Sequence, residues 1–131
     1  MIQNDIESKL KEEARKRAAE EARKREEARK ARIRSEINAL NGKIGGYNSL
    51  KSSLTSIVSD LGDTEMHLKD CYTTLSSSYL VDGIVVDSGK LTKSAGECSS
   101  ISSKINNSII PVINNKIKDF ASRISVLQRS L

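Results

Sequence analysis

The chain has 131 residues and a net charge of +5, with one Phe, three Tyr and no Trp. That length holds one small domain, and setting aside the charged start leaves roughly a hundred residues, too few for an enzyme of ordinary size with a deep cleft. An interior of Ile, Leu and Val with so few rings suits long paired helices better than a globule.

Three copies of EEARK occupy Glu12–Lys16, Glu20–Lys24 and Glu26–Lys30. Glu7/Lys11, Glu12/Lys16, Glu13/Arg17, Glu20/Lys24, Glu21/Arg25 and Glu26/Lys30 are all i,i+4 pairs with the acid first. That orientation adds about 0.2–0.5 kcal/mol per pair, and Ala, Glu, Lys and Arg are strong helix formers. Residues 1–34 are therefore expected to form a solvated helical extension that needs no packed face. They hold 12 Lys/Arg against 8 Asp/Glu, net +4; residues 35–131 hold 10 against 9, net +1. A basic helix that binds nucleic acid or anionic membrane is the alternative. The interleaved acids weaken its field, and it has no ring to stack on a base, so no nucleic acid is expected as a partner. No uninterrupted apolar stretch reads as a signal peptide or a membrane span, so the expected location is cytoplasmic.

The next segment carries a heptad pattern. Ile33, Ile37, Leu40, Ile44, Tyr47, Lys51, Leu54, Val58, Leu61, Glu65, Leu68, Tyr72, Leu75 and Tyr79 alternate in steps of four and three, and only Lys51 and Glu65 are polar. A sustained 3.5-residue repeat predicts a helix that coils around a partner helix, over about residues 35–80. Gly42, Gly45 and Gly46 keep the phase, so a continuous or gently bent helix is expected there, with close helix approach as one use of the glycines and a break as the alternative. Val81-Asp82-Gly83-Ile84-Val85-Val86-Asp87-Ser88-Gly89 reads as a reversing loop over about 81–90. A second periodic stretch spans about 91–131: Leu91, Ala95, Cys98, Ile101, Ile105, Ile109, Val112, Ile113, Ile117, Phe120, Ile124, Leu127 and Leu131. Pro111 inside it predicts a kink.

The fold class is thus all-α: an antiparallel helical hairpin over 35–131 with a charged N-terminal helical extension. Centring the turn near Val85 makes the numbers of facing residues sum to about 170. Tyr79 then meets Leu91, Tyr72 meets Cys98 and Leu61 meets Ile109. Lys51 lies opposite Asp119, Glu65 lies beside Lys104, and Leu131 reaches Leu40. Val58, Leu61, Leu68, Tyr72 and Leu75 are the expected hairpin core.

Nothing in the chain carries a catalytic signature, so a non-enzymatic protein with no small-molecule substrate is expected. The serines lack a base partner and a nucleophile elbow. Asp60, Asp63, His67 and Asp70 share a helical face, but it is the outward one, where solvated side chains are the plainer reading than a metal site. No metal or other cofactor is expected. Cys71 and Cys98 face each other across the seam, as candidates for a disulfide or as two small buried thiols.

The informative surplus is apolar. Leu50, Ile57 and Cys71 occupy the edge beside the seam, and Ile109, Ile110, Val112, Ile113 and Ile117 wrap more than one side of the second helix. A two-helix hairpin covers one stripe per helix, and a leftover apolar patch calls for a partner. Leu50, Ile57, Ile110, Ile113 and Ile117 are the expected partner-facing residues, completing a four-helix bundle with a second copy or a different helical protein.

Leu54-Thr55-Ser56-Ile57-Val58, Leu75-Ser76-Ser77-Ser78-Tyr79 and Asn106-Asn107-Ser108-Ile109-Ile110-Pro111-Val112-Ile113-Asn114 give residues 33–131 a texture and layout that resemble the small WXG100 (ESAT-6-like) accessory hairpins of Gram-positive type VII secretion. The likeness is to those that accompany LXG-domain toxins. The family's Trp-x-Gly turn is replaced around Asp82-Gly83, and Phe120-Ala121-Ser122-Arg123-Ile124 lacks the acid of its export signal. The resemblance therefore implies a chaperone or targeting subunit that binds the N-terminal helical stalk of such a toxin, or a second small helical accessory protein, and travels with it during export. A homo-oligomeric coiled-coil scaffold is the alternative.

Overall fold

A computed structural model describes residues 2–77 and 82–131. They form α1 (Ile2–Ser77), α2 (Asp82–Lys104), one π-helical turn (Ile105–Ile109) and α3 (Ile110–Arg129). The protein is an all-α antiparallel helical hairpin. Two compact units divide it: Met1–Gly42 with Ala121–Leu131, and Lys43–Phe120.

The first unit is closed by its C-terminal turn. Ile37 and Leu40 of α1 are buried, as are Ile124 and Leu127 of α3. Arg123 reaches Glu36 at 3.3 Å. Arg29 donates from Nη1 to the Ser130 carbonyl at 2.8 Å, satisfying one of the orphan acceptors at a helix C-terminus. Residues 2–29 are exposed throughout. They stay helical by side-chain pairing along the surface. Glu12 pairs with Lys16 at 3.9 Å and Glu21 with Arg25 at 4.0 Å, as the i,i+4 pattern predicts. Glu26 instead takes Arg29, three residues on, at 2.6 Å. Arg23 bridges Glu20 and Glu27, because a guanidinium fork reaches two carboxylates where an ammonium reaches one.

In the second unit Ala95, Ile105 and Ile113 are buried. The Tyr47 and Phe120 rings lie 5.8 Å apart, and Lys43 Nζ sits 5.7 Å over the Phe120 ring, a cation–π distance. The three glycines do not break α1. A Cβ at Gly42, Gly45 or Gly46 would meet nothing within 4 Å, so no other helix packs tightly against these glycines. Serine and threonine sit in the helices without disrupting them, in part by donating to the carbonyl four residues back, as Thr55 does to Lys51 and Thr64 to Asp60.

The seam of α1 follows its heptads. From residue 33 to residue 68 every position of the expected row is half-buried or buried. On the opposite arm the protected positions are Leu91, Ala95, Cys98, Ser102 and Ile105, then Ile110, Ile113, Ile117, Phe120, Ile124 and Leu127. The steps alternate four and three except for one of five, from Ile105 to Ile110. The π turn sits in that gap, and the Ile110 N–H donates to the Ile105 carbonyl, five residues back. One extra residue is absorbed there and the stripe returns to phase. Pro111 follows at once; having no N–H, it could not have continued a regular α-helical ladder.

Three expectations are corrected. α2 begins at Asp82, so residues 82–90 are helical rather than a loop; Tyr79 and Val81 lie outside the described residues. The register also differs. Residues in contact across the hairpin sum to 159 (Arg29 with Ser130, Glu36 with Arg123), 163 (Lys43 with Phe120) and 167 (Tyr47 with Phe120), about one heptad below 170. Sliding antiparallel helices by a heptad keeps every seam residue in the seam, so periodicity could not separate the two registers. Finally, the ion pairs Lys51–Asp119 and Glu65–Lys104 do not form among the described residues; Glu65 pairs with Lys69 on its own helix at 2.9 Å.

Candidate functional site

The candidate site is a surface, because two helices leave much of their apolar complement uncovered. Among the described residues no side chain falls below 2% exposure; even the core retains a trace of solvent contact. The expected core residues Val58, Leu61 and Leu68 are half-buried. Tyr72 is 42% exposed and stands at the groove rim rather than in the core. The side chain of Leu75 lies outside the described residues.

The partner-facing residues separate into three groups. Leu50 and Ile57 are 46% and 45% exposed, two turns apart on one edge of α1. Ile110 and Ile117 are half-buried members of the protected stripe. Ile113 is only 5% exposed and belongs to the core, which corrects its assignment to a partner. The one-residue slip is the cause: it moves Ile110 and Ile113 into the stripe and turns Ile109 and Val112 out. Val112 is 58% exposed, with Ile101 and Ile109 also outward. The stripe steps five from Ile105 to Ile110 where an unbroken heptad would step four to Ile109, and both positions are Ile.

Among the grooves along the second unit, two have mainly apolar linings. One, of about 410 Å³, is lined by residues of α1, including Glu65, Leu68 and Tyr72, and of α2, including Leu91 and Ala95. The other, of about 380 Å³, is lined by Lys43, Gly46, Tyr47, Leu50 and Phe120. No three His, Cys, Asp or Glu converge as a ligand set among the described residues, and Asp60, Asp63 and Asp70 are exposed along the outside of α1.

Cys71 and Cys98 are both free thiols, Cys71 exposed and Cys98 half-buried. Neither the disulfide nor the pair of buried thiols is formed. The register accounts for this, since their numbers sum to 169 while the observed register places Cys98 nearer Glu65 of α1.

In the charged segment the electrostatics are local. The hydrogen bond from Arg29 lowers the Glu26 carboxyl pKa, against a smaller opposing effect of desolvation. Glu20, by its hydrogen bond, and then Glu27, by its charge, raise the Arg23 guanidinium. Arg23 and Arg29 are thus engaged by acids of their own helix. No helix among the described residues is long and apolar enough to cross a membrane. Comparisons with protein-family models, curated proteins and solved structures return no match.

Proposed function

We propose that this protein is a non-enzymatic helical adaptor that offers its uncovered apolar edges to helices of another chain. The observation that carries the reading is the exposure of large apolar side chains on the hairpin, Leu50, Ile57, Ile101, Ile109 and Val112 among them. Burying the exposed half of each such side chain gains roughly 1 kcal/mol. Ile110 and Ile117, half-buried in the stripe, would be sealed by the same docking. The partner class is another amphipathic helical protein laid along the hairpin to complete a four-helix bundle. Following the resemblance of residues 33–131 to WXG100-like accessory proteins, the proposed partner is the N-terminal helical stalk of a type VII-secreted LXG toxin. The adaptor would shield that stalk and accompany it to export.

Co-expression with the N-terminal helical domain of an LXG toxin encoded beside this protein tests the reading. A complex that survives size exclusion, and is lost on Ile109→Asp with Val112→Asp while the helical circular-dichroism signal stays, is the expected result. Absence of any complex with that domain contradicts the toxin assignment.

A further inference from the structure

We propose that the chain also pairs with a second copy of itself, antiparallel, along the edge of α1 that carries Leu50 and Ile57. Lys43, Gly46, Leu50, Ser53, Ile57, Asp60 and Thr64 are all exposed. Their spacings of three and four put them on one face of the helix. The face is apolar at Leu50 and Ile57, small at Gly46 and Ser53, and oppositely charged towards its two ends at Lys43 and Asp60. Gly46 lines the groove beside Leu50, Tyr47 and Phe120, and the space where its Cβ would stand is filled by nothing in this chain.

Charge selects the occupant and its direction. Residues 37–48 carry Lys43 and no acid, 1 − 0 = +1; residues 59–70 carry Lys69 against Asp60, Asp63, Glu65 and Asp70, 1 − 4 = −3. Two parallel copies would set like charge beside like. Two antiparallel copies set each basic half against an acidic half. The two-fold axis then falls between Ser53 and Leu54, and facing residues sum to 107. Leu50 meets Ile57 of the second copy, and Lys43 meets its Thr64 and lies one turn from its Asp60. Ile57 of the second copy enters the groove beside Gly46. Because the interface is isologous, each of these contacts occurs twice. The adaptor reading does not enter this argument, and Ile101, Ile109 and Val112 remain uncovered for a different protein.

Cysteine cross-linking in a Cys71→Ser, Cys98→Ser background tests the pairing. Leu50→Cys and Ile57→Cys in one chain lie seven residues apart, about 10 Å along the helix, too far to bridge internally. On oxidation the double variant should run as a covalent dimer, and Ile57→Cys alone should stay monomeric under denaturing conditions. In the native background Lys43→Glu or Asp60→Lys should each weaken the dimer several-fold by light scattering, and the two together should restore it. A monomer that never cross-links, a dimer without the 50–57 bridge, or efficient cross-linking of Ile57→Cys alone overturns the proposal. Circular dichroism on each variant separates lost pairing from lost helix. A chain that captures a toxin stalk but never self-associates would retain the adaptor reading and remove this one.

Discussion

Single side chains explain both the stability of the charged segment and the gaps on the hairpin surface. Gly42 and Gly45 lie inside α1 with open space where a side chain would be. Each gives up about 0.5–1 kcal/mol relative to Ala in a helix interior. Gly42→Ala and Gly45→Ala should therefore each stabilise the chain by that amount in urea unfolding; a loss would mean that something packs against the missing Cβ. Glu26 and Arg29 act together, since Arg29 holds both Glu26 and the Ser130 carbonyl. Because the folded-state pKa of Glu26 is lowered, its contribution is present above the carboxyl's unfolded pKa. It is lost as pH falls through the lower folded value. Glu26→Gln should remove part of the acid-side loss of stability in thermal melts taken across that range, and an unchanged profile would show that the clasp does not matter. At this scale the sequence was legible where charge pairs are local, and less so where Arg had two acids within reach.

Among the elements, the π turn is the decisive one. Pro111 drew attention to the right place, but the reason for the irregularity lies in the stripe, which slips by one residue between Ile105 and Ile110. The slip was hidden because Ile105, Ile109, Ile110, Val112 and Ile113 are all apolar, so composition alone does not say which face the core. Pro111→Ala should leave Ile105 and Ile113 buried and the π turn in place. It should gain about 1 kcal/mol from one recovered backbone hydrogen bond. Deleting Ser108 together with Pro111→Ala should instead yield an unbroken α-helix with the seam in phase. Backbone chemical shifts across 105–110 would distinguish these outcomes, and a π turn that vanishes with Pro111→Ala alone would make proline its cause. Register was illegible for a different reason: helices one heptad out of step bury the same side chains, and only the turn and a few cross-helix contacts decide between them.

For the whole molecule, the fold class and the α1 stripe followed from periodicity, and so did the expectation of surplus apolar surface. The position of that surplus followed only in part, because Leu50 and Ile57 face outward while Ile113 turns in. What unites the two proposals is that a hairpin of this composition is incomplete as a single chain. Sedimentation equilibrium of the intact chain tests this most directly. Concentration-dependent association to twice the 14.4 kDa mass, abolished by Ile57→Asp with helicity retained, is the predicted result. A single 14.4 kDa species at every concentration, with Ile57→Asp indistinguishable from the parent, would contradict it.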